Sequence, residues 1–411
     1  MYIPYDFLYQ KISIKFLKDF FYKKKIKQNC NYILKNRKKV LKRIKNKEIL
    51  NVVFYVYDCS KWKCQSLYEK LELNQKFKPL IVVTKNSAKN LDNPSYQTKE
   101  EILKTYDFFK NKNMNVELGY DFKKKQHIPF EIFRPDIIIY QHPWYVETKQ
   151  GPVVCSKFAL TFYVPYDIPT TNLESDCNLR FHQYVQTYYL AHDILKEEFS
   201  ALMDNKGENL KVVGAPSFDL LKKAENKKYV IYAPHWTVNH KKTIAYSTFK
   251  EYGEFILEYA KNHPEFNWVF KPHPLLKKAI IDNGLMTKNE VEKYYQAWNE
   301  IGIVCEDGSY YEIFNNSKLM ITDCSTFLIE YLMSENPLIN IVSFSAPKFN
   351  KITKEITETY YKPENINEFI MLLDEILIQN NDYLLEERRK VKNKFLTNAS
   401  EKILEDLLTY V

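Results

Sequence analysis

A hydroxyl-rich turn between two apolar runs is the stretch of this sequence best suited to chemistry. Residues 319–321 are apolar and predict a short buried strand, and the apolar residues of 327–332 recur at helical spacing. The turn Asp323-Cys324-Ser325-Thr326 therefore opens a helix at the carboxyl end of a strand. Free backbone N–H groups, the helix dipole and hydroxyls favour a phosphate there. The alternative is an ordinary helix cap made by Asp323, with no ligand.

Two further predicted strands end in polar tips. The apolar run 229–233 stops at Pro234 and continues into His235, and the run 268–270 is followed by Lys271 and His273. In an open α/β sheet, ligands bind outside the carboxyl ends of the strands. We therefore expect the three tips to meet at one site. The alternative for His273 is a loop histidine that orders the strand end, and Lys271 reads as a surface residue with a phosphate contact left open.

These blocks resemble the CDP-glycerol glycerophosphotransferases of teichoic-acid and capsule synthesis, a family with a GT-B-type glycosyltransferase fold. Four blocks in family order carry the resemblance. Residues 212–219 resemble the family's Gly-Asn-Pro-Arg-x-Asp, residues 232–236 its Tyr-Ala-Pro-Thr-Trp, residues 273–274 its His-Pro, and residues 321–331 its Ile-Thr-Asp-Tyr-Ser-Ser with the apolar run and Asp-Tyr that follow. Ser217 replaces the family's Arg and His235 its Thr. The match covers the C-terminal half only.

The resemblance implies transfer of a glycerol-phosphate-like group from a CDP-activated donor to an acceptor hydroxyl, with release of CMP. Ser325 and Thr326 would hold the diphosphate, and His273 would act there as a charged donor or a general acid. Glu330 would accept a hydrogen bond from the ribose, unless it is simply a solvated helix residue. The other donor-side candidates are Gly214, Pro234, His235 and Asp323. None of these residues requires a metal or another resident cofactor.

The acceptor side departs from the family. Its Trp-His-Gly-Thr-Pro segment, whose His is the natural general base, is absent here. The nearest candidates are His142 and Asp167, each at the tip of a predicted strand. Either could take a proton from an acceptor hydroxyl. The structural alternatives are a turn histidine before Pro143 in the case of His142 and an Asx-type turn in the case of Asp167.

The elements that must position these residues indicate an α/β protein with two Rossmann-like domains, GT-B-type, facing an interdomain cleft. Strands alternate with helices throughout, which predicts parallel sheets covered on both faces. We expect a basic helical leader over 1–48, an acceptor domain over 49–210, a nucleotide-donor domain over 211–380 and a C-terminal helix over 381–411. The polar stretches near 205–225 place the domain boundary. The resemblance suggests that the C-terminal helix crosses back to the first domain.

The charge is concentrated at the N-terminus. The chain of 411 residues carries a net charge of +9, and residues 1–48 hold 15 Lys and Arg against three acidic residues, which leaves a net −3 elsewhere. Apolar residues among these lysines predict amphipathic helices, which could lie on an anionic membrane surface or pack on the first domain. Nucleic acid ranks lower, because no recognition motif accompanies the charge.

Other features of the sequence indicate where in the cell the protein lies and which other functions compete. No apolar run nears the ~20 residues of a membrane span, no secretory signal is evident, and the seven cysteines lack CxxC spacing. We therefore expect a cytoplasmic protein, either free or peripheral at the inner face of the membrane. A GT-B glycosyltransferase using a UDP-, GDP- or CMP-sugar in capsule or lipooligosaccharide synthesis is the main alternative. A nucleotide-sugar epimerase and a non-catalytic glycan- or membrane-binding protein are others. Walker, HExxH and Gly-x-Ser-x-Gly motifs are absent.

Overall fold

Two parallel sheets, one in each half of the chain, form the framework of the computed structural model. The structure describes residues 15–89, 96–222, 227–239, 245–306, 310–343 and 345–410, with side chains from residue 21 onward. The inner strands of both sheets are almost entirely buried, as expected for parallel strands covered by helices on both faces. The predicted α/β class with two Rossmann-like domains is confirmed.

The first domain has a seven-stranded sheet in the order β3-β2-β1-β6-β7-β8-β9. Its chain order reverses between β1 and β6, which is the switch point where such sheets open a crevice. The elements are α1 (Lys15–Ile44), β1 (Leu50–Val56), α2 (Gln65–Leu73), β2 (Phe77–Val83), α3 (Lys99–Asn111), β3 (Val116–Leu118), the hairpin β4 (Tyr120–Asp121) and β5 (Gln126–His127), β6 (Ile137–Tyr140), α4 (Pro152–Cys155), β7 (Leu160–Tyr163), α5 (Glu174–Cys177), α6 (Arg180–Tyr184), β8 (Thr187–Leu190), α7 (Asp193–Leu202) and β9 (Leu210–Val212), with 3-10 turns at Cys59–Lys61, Phe130–Phe133 and Thr148–Gln150.

The second domain has a five-stranded parallel sheet in the order β12-β11-β10-β13-β14, with its switch point between β10 and β13. A 3-10 segment, Pro216–Leu220, leads into it. The elements are β10 (Tyr229–Ala233), α8 (Phe249–Asn262), β11 (Asn267–Phe270), α9 (Leu276–Asp282), α10 (Lys288–Ile301), β12 (Gly302–Val304), α11 (Tyr311–Asn315), β13 (Ser317–Thr322), α12 (Ser325–Leu332), β14 (Leu338–Asn340), α13 (Lys351–Thr357), α14 (Ile366–Leu373) with a π turn at Asp374–Ile378, α15 (Leu385–Lys392) and α16 (Ala399–Leu408).

The expected division between residues 210 and 211 falls inside β9, which pairs with β8 in the first sheet. The first domain therefore extends past the predicted boundary. Sequence alone placed the change of domain in this polar region, but it could not tell a short edge strand of one sheet from the first strand of the next. The segment 381–411 likewise contains two helices, α15 and α16, rather than one.

The C-terminal helix α16 packs on the first domain, so the chain crosses between the domains twice. Asp219 anchors the crossing, because its carboxylate accepts from the backbone N–H groups of Ala399 and Ser400 at 2.9 Å each. Gly214 lies under the same segment with a φ of +92°, and a Cβ there would meet the carbonyl oxygen of Leu396 at 2.6 Å. This close approach and the positive φ require a glycine here, and the donor contact expected for Gly214 stays a prediction.

The basic leader is a single 30-residue helix, α1, docked along the first domain. Its buried side chains, Ile26, Ile33, Val40 and Ile44, follow helical spacing and form the contact. Asn36 donates to Ser156 at 3.2 Å, and Arg43 pairs with the buried carboxylate of Asp136 at 2.7 Å. The packed-helix alternative therefore describes this segment. Residues 1–14 of the predicted leader lie outside the described residues.

Candidate functional site

The tips of β10, β11 and β13 meet at the switch point of the second sheet. The backbone N–H of His235 donates to Asp323 at 2.5 Å, and the backbone N–H of His273 donates to the buried Pro234 carbonyl at 3.1 Å. The rings of His235 and His273 lie 5.3 Å apart between centroids. Three strand ends separated by up to 90 residues in sequence thus form one surface.

The helix α12 begins at this surface. Ser325 and Thr326 are its first two residues and are half-buried, and the N-cap residue Cys324 makes no side-chain cap. Backbone N–H groups in the first turn of such a helix have no partner within the helix itself. The start of α12 can therefore offer two hydroxyls and backbone donors to an anion.

Asp323 neither caps α12 nor faces an open ligand position. Its two oxygens accept from the backbone of His235 and, at 2.6 and 3.0 Å, from the N–H and hydroxyl of Thr248. Burial raises the pKa of Asp323 to about 7. Asp323 therefore ties together the two ends of the connection between β10 and α8, which corrects both the capping prediction and the assignment of this side chain to the donor.

His273 is held as a neutral imidazole. Its Nδ1 accepts from the backbone N–H of Leu275 at 3.1 Å, which places the proton on Nε2. Burial, followed by electrostatic interactions with His235, Lys271 and Lys61, lowers its pKa well below the usual value. The predicted charged donor does not fit this environment. A neutral Nε2–H remains a possible hydrogen-bond donor to a phosphate oxygen.

His235 is also neutral, because burial lowers its pKa to about 3. Its Nδ1 lies 2.8 Å from the Thr237 hydroxyl. Its neighbour Trp236 stands beside both histidine rings, at centroid distances of 6.0 and 5.9 Å. These contacts order the aromatic loop at the tip of β10.

Glu330 is engaged by the first domain. The carboxylate is 1% exposed and lies 3.1 Å from the Nζ of Lys63, and it also accepts from the hydroxyl of Tyr310. Lys63 in turn donates to Tyr310 and lies over its ring. In this conformation Lys63 occupies the position predicted for a ribose hydroxyl. A ribose can reach Glu330 only if Lys63 moves.

Lys271 is a buried residue of the site, so its interpretation as a surface residue was wrong. It is 6% exposed, and its Nζ lies 5.3 Å from the centre of the Tyr310 ring and 5.9 Å from that of Phe327. A second lysine cation thus stands next to the start of α12.

Asp167 provides the titratable group on the first-domain side. It follows β7, and burial together with the charge of Asp176 raises its pKa to about 7, while Lys61 opposes the rise. Lys61 also lowers the pKa of His273 in the second domain, and its Nζ donates to the Tyr57 hydroxyl at 3.2 Å. The charge of Lys61 therefore acts on both Asp167 and His273.

His142 does not suit the role of general base. Its ring is 1% exposed and lies 3.7 Å from the Tyr57 ring between centroids. Neither ring nitrogen has a hydrogen-bond partner among the described residues, and burial lowers its pKa well below the usual value. An acceptor cannot reach a side chain packed in this way, so the prediction for His142 is corrected.

Sequence reasoning missed Lys61, Lys63 and Tyr310. The two lysines flank Trp62 in the loop after β1, and the first strand–helix loop of a Rossmann-like domain commonly borders the ligand crevice. That signal was present in the sequence. Tyr310 gave none, because it follows a short strand in an otherwise polar loop.

No group of three or more His, Cys, Asp or Glu side chains in the described part of the chain could hold a metal ion. Within the same residues, no helix is both long enough and apolar enough to cross a membrane.

Comparisons with known proteins agree on the fold. No family model matches the chain. A minor teichoic acid biosynthesis protein of Bacillus subtilis strain 168, GgaB, is 25% identical over 153 residues, which cover 33% of this chain and only 16% of that protein. The chain therefore spans a small part of the length of the curated relative that it matches.

Solved structures cover nearly the whole chain. A variant of the wall teichoic acid polymerase TagF aligns over 100% of this chain and 98% of its own, with a TM-score of 0.55 and 13% identity. A Staphylococcus aureus MnaA–UDP structure aligns over 88% of this chain and 98% of its own, with a TM-score of 0.57 and 13% identity. The Neisseria meningitidis UDP-GlcNAc 2-epimerase aligns over 87% of this chain and 99% of its own, with a TM-score of 0.55 and 13% identity. The chain therefore has a GT-B-type fold and is similar to proteins of teichoic acid synthesis.

Proposed function

We propose that this protein is a transferase that moves a polyol-phosphate group, such as glycerol phosphate, from a CDP-activated donor to a hydroxyl of a surface polysaccharide or lipid-linked acceptor. The supporting observation is that His235, His273 and the start of α12 meet at one surface, while the first domain supplies Asp167, whose pKa burial raises to about 7. An anion site together with a base whose pKa lies near neutral suits transfer to a hydroxyl. The motif resemblance favours the polyol-phosphate donor, and the likeness to GgaB, a minor teichoic acid biosynthesis protein, supports a role in making a surface polymer.

In the proposed reaction Asp167 takes the proton of the acceptor hydroxyl. The acceptor oxygen attacks the β-phosphorus, the bond from that phosphorus to the bridging oxygen breaks, and CMP leaves. The N–H groups and hydroxyls at Ser325 and Thr326 stabilise the departing phosphate, and the Nε2–H of His273 donates to it. Lys271 supplies positive charge nearby. These groups can hold the diphosphate without a resident metal ion.

Calorimetry with CMP, CDP, CDP-glycerol, UDP and GDP tests the proposal. We expect cytidine-selective binding that is lost in a Ser325→Ala, Thr326→Ala double variant and kept in Thr397→Ala, which removes an exposed hydroxyl outside α12. A preference for UDP or GDP that the double variant loses would move the function to a sugar transferase or epimerase. Absence of nucleotide binding would refute both enzyme functions and favour a non-catalytic glycan- or membrane-binding protein.

We also propose that α1 meets an anionic membrane surface with its lysine face. The buried apolar side chains of the helix pack against the first domain, so the contact with the membrane would be electrostatic. No acidic residue occurs between residues 20 and 44. The exposed lysines of this face are Lys23, Lys24, Lys27, Lys35, Lys38, Lys39 and Lys42.

Vesicle sedimentation tests this contact. Each lysine near an anionic surface contributes about 1 kcal/mol, so Lys35→Gln with Lys39→Gln should weaken binding to phosphatidylglycerol vesicles roughly 30-fold. The matched control, Lys288→Gln with Lys293→Gln on α10, should bind as the wild type does. Equal loss in both pairs would indicate a net-charge effect, and binding to DNA but not to vesicles would identify a nucleic-acid surface.

A further inference from the structure

A cavity of about 230 Å³ lies between the domains, beside the Lys63–Glu330 pair. The first domain contributes Ser60, Trp62, Gln65 and Phe108 to its lining, and the second contributes Tyr310 and Tyr311. The cavity therefore exists only when both domains are in place. Nothing in the proposed phosphate chemistry uses it.

The lining favours a flat, apolar-faced group. Four of the side chains named above are aromatic, and a nucleobase stacks on such faces with about 1–3 kcal/mol per base. The volume is below the ~300 Å³ at which pockets begin to hold a drug-sized molecule. A single base or ring fits, whereas a whole nucleotide does not.

One polar group in the lining lacks a partner. The hydroxyl of Tyr311 is buried and makes no hydrogen bond to the described residues. Leaving such a group unpaired costs about 1–3 kcal/mol, which a ligand with a matching polar edge would recover. Gln65 adds an amide at the rim, fixed in orientation because its oxygen accepts from Trp62 Nε1 at 2.9 Å and its nitrogen donates to Glu69 at 2.8 Å.

The position of the cavity connects it to the donor site. Tyr310 lines the cavity and also donates to Glu330, the residue assigned to the ribose. A ribose that reaches Glu330 after Lys63 has moved away would have its base one side chain away, at Tyr310. We propose that this cavity receives the nucleobase of the donor, so that Gln65 of the first domain helps to select the base. The inference rests on the proposed function, since it needs a nucleotide donor.

Two substitutions test the cavity without touching the phosphate groups. Tyr311→Phe removes only the unpartnered hydroxyl, and Ser60→Trp fills space from an exposed position. We expect CMP binding to weaken at least fivefold in Tyr311→Phe and to be lost in Ser60→Trp, with pyrophosphate binding unchanged. The matched control Tyr383→Phe, at a tyrosine that is 58% exposed, should bind CMP as the wild type does. Circular dichroism confirms that each variant is folded.

The outcomes separate this inference from the function on which it rests. If the wild type binds CMP and both cavity variants bind it equally well, the cavity is not the base site and the inference is overturned, while the transferase proposal stands. If the wild type binds no nucleotide, the proposed function fails and the inference fails with it. If the wild type binds methyl glucoside, the two cavity variants do not, and all three bind CMP equally well, then the cavity is a sugar site and its assignment to the base is overturned.

Discussion

Replacement of Lys63 by Met tests how firmly the two domains are held together. Lys63 and Glu330 are 8% and 1% exposed at the side chain, and their charged atoms lie 3.1 Å apart. Met keeps much of the length of the lysine side chain but removes the charge. The variant therefore leaves Glu330 buried, with the hydroxyl of Tyr310 as a remaining donor.

The expected loss of stability follows from the burial of the ion pair between Lys63 and Glu330. Removing one member of a buried ion pair costs about 3–5 kcal/mol, because the remaining charge is left without its partner. The Tyr310 hydroxyl still donates to the carboxylate in the variant, so Glu330 keeps one partner and the loss should lie at the lower end of that range. We therefore expect Lys63→Met to lower the free energy of unfolding by about 3 kcal/mol.

Urea denaturation followed by tryptophan fluorescence measures the change. The control is Lys70→Met, which breaks the ion pair between α2 and α16 that is 38% and 44% exposed and should cost at most about 1 kcal/mol. In the double variant Lys63→Met, Glu330→Gln the orphaned charge is gone, so part of the stability should return. A Lys63→Met protein as stable as Lys70→Met would show that the buried pair does not hold the domains, and the reasoning would be refuted.

Three further predictions concern pH, backbone geometry and the C-terminal crossing. The pKa values of Asp167 and Asp323 are raised to about 7 in the folded state from about 3.9 in the unfolded state, so their contribution to stability is full below pH 4 and is lost as the pH rises to 7. In urea titrations at several pH values, Asp167→Asn should make this decline in stability shallower. A pH profile that does not change would contradict the raised pKa. Gly214→Ala should lower the midpoint of thermal unfolding more than Gly284→Ala does. Both glycines have a positive φ, but of the two only Gly214 would bring an added Cβ within 3 Å of a backbone atom. Equal midpoints for the two variants would exclude this close approach. Asp219→Ala should destabilise by about 1–2 kcal/mol through loss of the α16 cap, measured by urea denaturation, and Asp219→Asn should restore part of it; two variants of equal stability would argue against the cap.

Local patterns in the sequence determined the elements and the order of the tips. Strands β10, β11 and β13 were predictable because each is a short apolar run stopped by Pro or by a polar turn, and α12 because the apolar spacing changes from 319–321 to 327–332. The rule that parallel strands open at their carboxyl ends then brought His235, His273 and Ser325 together. These conclusions depend only on neighbours in the chain and on a general property of sheets.

The tertiary structure decided what each side chain meets. Asp323 was expected to cap its own helix, but the fold brings both ends of the connection between β10 and α8 within reach of its carboxylate. Glu330 and Lys63 are 267 residues apart, so no local pattern could pair them. The same applies to His142, whose type suggested a base until burial against Tyr57 removed access.

The basic leader shows the same division. Its charge and its amphipathic spacing were evident from residues 1–48, yet the sequence could not say whether the apolar side faces the protein or a membrane. Packing against the first domain decided that, since Ile26, Ile33 and Val40 bury their surface there and leave the lysines outside. Sequence determines which residues must be buried, because the hydrophobic effect depends on residue type. Only the folded chain determines the surface that buries them, because that surface is assembled from distant segments.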